Sequence, residues 1–450
     1  MIALLQAPLR HKSVVLSFGY RQEIEFIRDT HIGLLDWLQA QQSYPRFYWC
    51  SRDGELEIAA AGATERFTSL MSAQAFIQRF RETDCQPILV GGVPFPGTHE
   101  VSSEAGPGPA DRLASLTDPE ETNIFRVRFL AHQGPNKVSK SSSGGTLTGI
   151  AGLTGGEFMS PEQRAQRSDL PALHCRRDLP ELPHWSELVD KVLHPESLIS
   201  CPKVVLARQS RFALPRPVSA FALLKRWHQA EHRTIPFLMQ LAPDSSFLGC
   251  TPERLYQRRS REITTEALAG TVRNCPLGGG AGVSELRSDI KIHRENFLVQ
   301  DYIERQLMSL CETTQVNPFA DVVELKHIQH LRKSMTGYLH PEIQDEGILN
   351  ALHPTPAIGG APKDLALRFI AEHEPFQRGW YAGAIGYMSA DETEFSVAIR
   401  SALIQSETID FYAGAGIVAG SEPIAEWLEL ESKIASVLAL FDPDDSVPCL

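Results

Sequence analysis

Apolar residues recur along this chain at two spacings. Phe76 and Phe80, four residues apart, predict an amphipathic helix over Ser72–Arg81. Trp185, Leu188, Val189 and Val192 repeat the pattern, and longer helices are expected near 287–311 and 423–441. In the last of these, Ile424, Trp427, Leu428, Ile434, Leu438 and Phe441 form an apolar stripe, with Ser421 as N-cap and Pro423 in the first turn. Elsewhere the pattern is that of strands. Phe47-Tyr48-Trp49 and Glu57-Ile58-Ala59 flank Asp53-Gly54, a hairpin signal. The short β-branched run Cys201–Arg208 reads as a strand with Lys203, Val205 and Ala207 on one face. Short strands separated by turn residues, without regular βαβ alternation, predict a mixed α+β fold with antiparallel pairing. Order signals are sparser over 1–184 than over 185–450. The Gly/Ser-rich stretch 133–156, centred on SKSSSGG, reads as a flexible surface loop.

Composition narrows the function classes. The 450 residues are 42% hydrophobic and 22% charged, as in ordinary globular proteins, with length for a sizeable core. Asp plus Glu (55) outnumber Lys plus Arg (43), for a net charge of -12, which argues against nucleic acid or an anionic membrane as main partner. The eight cysteines are scattered, without CxxC or zinc spacing, as expected of thiols in a reducing cytosol. No run approaches the roughly 18 apolar residues of a membrane span, and the apolar residues before Pro8 are too few for a secretory signal. A cytoplasmic location is expected. No GxGxxG follows a strand, and GGTLTG (144–149) lacks the lysine of a phosphate loop.

Several charged residues stand where charge is costly. Lys203 lies among small apolar residues and needs a partner or a task. Downstream are Glu253 in TPERL and Glu266 in TEALAGT, so a base and an acid acting on one small molecule are suggested. Glu295 shares a helix face with Leu298, Val299 and Tyr302, which calls for a metal or a cation; Lys291 at i−4 is the structural alternative. Glu426, Glu429 and Lys433 form either a solvated ion-pair face or a carboxylate site for a hard cation such as magnesium. The small residues of Tyr412–Ile417 suit either a tight turn or close approach of backbone N–H groups to an anion. Arg400 suits a carboxylate or a surface ion pair. His330 and His353 lack metal spacing, and Gly359-Gly360-Ala361-Pro362 reads as a tight loop.

The ordered set KVVLAR, FLGCTPERL, TEALAGT, HRENFLV, HPTPAIGGAP, RGWYAGAIGY, VAIRSALI and YAGAGIVAGSEPIAEWLELESK resembles the chorismate-utilising enzymes, over about 185 to 440. The resemblance implies large antiparallel sheets packed as a sandwich and flanked by helices. It implies Lys203 as the base that activates water and Glu253 as the acid that protonates the departing C4 hydroxyl. Glu295 and Glu429 match magnesium ligands that would hold the ring carboxylate of chorismate. Gly270, Thr271, His330, Tyr381, Arg400, Gly414 and Lys433 match the substrate pocket, and Glu266 a supporting carboxylate.

Family members diverge at few positions. Anthranilate synthases resemble this chain but carry glutamine where Lys203 stands, and use ammonia; aminodeoxychorismate synthases often carry a lysine in place of Ala269. Both departures point to water as nucleophile, with no glutaminase partner. The resemblance therefore implies an isochorismate synthase, most like the menaquinone-pathway type, with a siderophore-pathway enzyme or a salicylate synthase as alternatives. Such chemistry requires Lys203 to react as the neutral amine and Glu253 to start protonated.

Overall fold

The computed structural model describes residues 11–13, 22–26, 33–80, 87–96, 123–133, 147–149, 170–273, 290–324 and 328–441. Most of the expected 133–156 loop and residues 287–289 of the long helix lie outside them. Within that stretch Leu147–Gly149 is strand, where a loop was expected, because it pairs with Ala131–Gln133 on one side and Ile24–Phe26 on the other.

Two antiparallel sheets account for most of the chain. The first runs from Lys203–Ala213 through Thr408–Val418, Ser401–Gln405, Ser245–Thr251, Ile235–Ala242, Arg46–Cys50 and Glu57–Phe67 to Asn123–Gln133. The second begins on the same Asn123–Gln133 strand and continues through Leu89–Val93, Ala384–Met388, Glu392–Val397, Arg254–Arg259 and Glu262–Arg273 to Ile328–Leu339. Strands from before and after residue 185 thus pair directly. The expected hairpin closes through Gly54, whose φ of +71° is cheap for glycine. The sheets face each other: Trp49 of the first is fully buried against Tyr387 of the second, ring centroids 5.3 Å apart, and its indole N–H donates to Ser396 Oγ at 3.4 Å. Edge-on aromatic packing of this kind adds about 0.5–1.5 kcal/mol beyond area burial.

The strand Ser245–Thr251 belongs to the first sheet and Arg254–Arg259 to the second, so Pro252-Glu253 is the crossing between them. The helix Ile290–Leu310 packs on Glu262–Arg273, and Pro423–Leu438 packs on Thr408–Val418. Both long helices therefore lie over strands that carry candidate residues.

Three helices sharpen or correct the expectations. Leu182–Leu193 buries all four of its periodic residues. The helix expected at 72 starts at Leu70, because the Ser69 hydroxyl accepts the Ser72 N–H as its cap. The last helix is rotated from its expected face. Ile424 is 55% exposed, whereas Glu426 is buried with Leu430, Ile434 and Val437. Trp427 is the reason: it packs on Trp185, ring centroids 6.1 Å apart, and under the Arg208 guanidinium. Ser421 does not cap this helix; its Oγ accepts the Val418 N–H instead.

Candidate active site

A cleft of about 640 Å³, solvent at its mouth included, opens where the sheets meet the two long helices. Its walls include Glu253, Gly270, Glu295, His330, Tyr381, Arg400, Gly414 and Lys433. Lys203 stands one layer behind the wall and Glu429 is tied to it through Lys433. Thr271 follows Gly270 on the same strand, and only its backbone is described.

Lys203 opens the first strand and has no exposed surface. Its partner is Glu295, 92 residues away: Nζ donates to Oε1 at 3.0 Å. The apolar setting of Glu295 is thus relieved from another element, as a buried ion pair requires. The Lys203 strand pairs on one side with Thr408–Val418, so the Tyr412–Ile417 run is continuous strand rather than a turn. Its glycines provide room. A Cβ on Gly416 would lie 2.5 Å from Glu295 Oε1 and 3.0 Å from Lys203 Cε, and one on Gly414 would lie 2.7 Å from the Tyr381 hydroxyl. Gly416→Ala should therefore displace both charged groups and lower kcat by about 10²-fold, as ångström-scale misplacement does; steady-state kinetics on the folded variant check this. On its other edge the strand pairs with Gly360–Ala361 near its start and with His174–Leu179 near its end, so Gly360-Ala361 is strand where a tight loop was expected. Between these pairings side chains hold it: Glu374 Oε1 accepts the Ala207 N–H at 2.8 Å, and Arg378 Nη2 donates to the Val205 carbonyl at 2.7 Å.

Glu253, at the crossing, is 3% exposed. Burial first, and then the nearby charge of Glu266, push its carboxyl up to about 8, against the opposing pull of Lys203, Arg52 and Lys433. At neutral pH it holds its proton. Glu266 makes its own ion pair with Arg52, whose Nη1 donates to Oε2 at 2.9 Å. Arg52 has no motif around it and no periodicity; it lies in a hairpin turn some 200 residues away, and nothing local in the sequence marks it.

The far wall is built around Arg400. Its backbone sits at φ +51°, a strained conformation for arginine. Nη1 donates to the Lys433 carbonyl at 2.6 Å, while Nη2 is buried without a hydrogen-bond partner among the described residues. An unpaired buried donor is costly, and burial holds the guanidinium below its ordinary value. The group is thus poised to accept an anion. Lys433 Nζ donates to Glu429 Oε1 at 2.6 Å and to the Gly414 carbonyl at 2.9 Å. Burial holds His330 down at about 3, so it is neutral. Its Nδ1 lies 3.3 Å from the Gly270 carbonyl, so Nδ1 carries the hydrogen and Nε2 is an acceptor. Gly270 occupies a bulge at φ +82°, where a Cβ would lie 2.6 Å from Ile292 Cγ2. Tyr381 stacks on Tyr412 at 5.2 Å, and the Tyr412 side chain, which was not among the expected pocket residues, also lines the cleft. His353 lies outside the cleft, with Nε2 2.9 Å from the Ala382 carbonyl, and is structural.

Glu295 and Glu429, on the helices Ile290–Leu310 and Pro423–Leu438, are oxygen donors of the kind a hard cation takes. Each is paired here with an ammonium, Lys203 and Lys433, and no cluster of three or more His, Cys, Asp or Glu side chains able to hold a metal is found among the described residues.

A family model described as "Chorismate binding enzyme" matches residues 20–442. The chain belongs to the chorismate-binding enzymes. Among members of that family, isochorismate synthase MenF of Escherichia coli is 35% identical over 448 residues, covering 97% of each chain. Isochorismate synthase MenF of Haemophilus influenzae is 34% identical over 412 residues, covering 91% of this chain and 89% of that one. The solved structure of the menaquinone-specific isochorismate synthase of Escherichia coli superposes with a TM-score of 0.77 at 31% identity, over 98% of this chain and 97% of that one. The family resemblance and the paired antiparallel sheets expected from sequence are both borne out.

Proposed function

We propose that this chain is an isochorismate synthase that isomerises chorismate in the cytoplasm for menaquinone biosynthesis, without a glutaminase subunit. The observation that supports the reading is the placement of two buried residues: Lys203, where ammonia-using members of the family carry glutamine, paired with Glu295 of the cleft wall, and Glu253, in that wall, which keeps its proton at neutral pH. The similarity to isochorismate synthases along nearly the whole chain supports it.

The chemistry balances with these two residues. Lys203, reacting as the free amine, takes a proton from a water as its oxygen bonds to C2 of the ring. The ring double bonds shift, the C4–O bond breaks, and Glu253 gives its proton to the departing hydroxyl, which leaves as water. One water enters and one leaves, and exchange with solvent takes the proton off Lys203 and returns one to Glu253 for the next turnover, so no ATP or redox partner is required. Arg400 Nη2, buried and without a hydrogen-bond partner among the described residues, is the donor for a substrate carboxylate. Tyr381, Gly414, Gly270 and His330 shape the floor, and neutral His330 accepts a substrate hydroxyl hydrogen at Nε2. Magnesium would be held by Glu295 and Glu429, and supplies neutralisation and orientation of the ring carboxylate when bound.

Incubation of the purified protein with chorismate and Mg²⁺, with product separation, tests the reading. Isochorismate is the expected product, and activity should vanish on chelation and return with Mg²⁺. Salicylate with its fluorescence would assign the alternative lyase activity, and anthranilate formed with ammonia would overturn water as nucleophile.

A further inference from the structure

The peptide that carries Glu253 is pinned at four consecutive points. Arg52 Nη2 donates to the Pro252 carbonyl at 2.6 Å. The Glu253 N–H donates to Thr251 Oγ1 at 3.2 Å, and its carbonyl accepts the Val397 N–H at 3.1 Å. The Arg254 N–H donates to Glu266 Oε1 at 2.9 Å. The outer two pins are the two halves of one ion pair, Arg52–Glu266, with side chains 15% and 6% exposed. No β-ladder holds this dipeptide, because it is where the chain leaves one sheet for the other.

We propose that Arg52 and Glu266 are positioning residues for Glu253, clamping the crossing from both sides so that its carboxyl is presented to the cleft. This rests on the assignment of Glu253 as the acid of an isochorismate synthase. The clamp has an electrostatic side. The charged groups acting on Glu253 are Glu266, Lys203, Arg52 and Lys433. Glu266 is the one anion among them and opposes the loss of the Glu253 proton. Arg52, by pairing with Glu266, holds that carboxylate in place inside the protein. The hairpin turn of the first sheet thereby contributes to a site whose other residues come from after position 200.

Two variants, each checked for folding by circular dichroism and assayed from pH 6 to 10, test the proposal. Glu266→Gln keeps an acceptor for the Arg254 N–H but removes the charge. The alkaline limb of kcat/KM should move down by about one pH unit. Arg52→Lys keeps the charge but loses the fork that reaches Glu266 and Pro252 together. Its kcat should fall about tenfold or more at every pH, with KM unchanged. An unmoved alkaline limb in Glu266→Gln overturns the proposal; should that variant fail to fold, an unchanged kcat in Arg52→Lys overturns it. Wild type that produced no isochorismate would instead remove the assignment of Glu253, so the two failures are distinguishable.

Discussion

Glu253→Gln is expected to lower kcat by about 10²–10⁴-fold, the usual contribution of a positioned general acid, while chorismate still binds. Glutamine matches the protonated carboxyl in shape and hydrogen-bonding capacity, so the cleft should survive; only the transferable proton is lost. Isothermal titration with chorismate and single-turnover kinetics separate the two effects, and near-normal kcat would remove Glu253 from its role. The same group sets a pH dependence. Its carboxyl, pushed up to about 8 by burial and Glu266, must be protonated to act, so wild-type kcat/KM should decline as pH rises through about 8. The stability linkage has the same sign. Because the folded value lies above the ordinary carboxylate value of 4.5, the contribution of Glu253 is fully present below about 4.5 and is lost as pH rises through about 8. Glu253→Gln should flatten that part of the stability profile, measured by denaturant unfolding at several pH values.

Lys203→Met is expected to be as damaging, lowering kcat by at least about 10²–10³-fold. Methionine keeps most of the aliphatic stem in a site with no exposed surface, so packing is largely spared while the amine disappears. The variant also leaves Glu295 without the ammonium 3.0 Å away. Apparent Mg²⁺ affinity should change as well, because the carboxylate no longer has a competing cation. Lys203→Gln, which places here the residue of ammonia-using relatives, should be equally inactive with water. Retention of near-normal turnover by Lys203→Met would show that the proton of the attacking water goes elsewhere.

Much of the chain could be read locally. The hairpin around Gly54, the helix Leu182–Leu193 and the buried strand beginning at Lys203 follow from spacing and turn residues within short windows. The family could be read too, since its ordered motifs are strings of contiguous residues. Less legible was the face of the last helix. Its periodicity admits several rotations, and the contact of Trp427 with Trp185 and Arg208, residues some 220 to 240 positions earlier, selects one and buries Glu426. The glycines at 414 and 416 were read for their backbone; the structure shows that the missing Cβ atoms matter, because Tyr381 and Glu295 fill those spaces.

Local pattern alone supplied the residue types available for chemistry: a lysine on a buried strand, a glutamate between two strands, and carboxylates on two helices. Those are consequences of local pattern and of the motifs that surround them. Only the tertiary structure decided how they are paired and charged. Lys203 meets Glu295, Arg400 Nη2 is left without a hydrogen-bond partner among the described residues, and Glu253 retains its proton because burial and the field of Glu266 outweigh the opposing fields of Lys203, Arg52 and Lys433 at one point in space. Electrostatic interaction depends on distance and solvent exclusion rather than on sequence separation, and an arginine in a hairpin turn becomes part of the site only when two sheets close over the crossing between them.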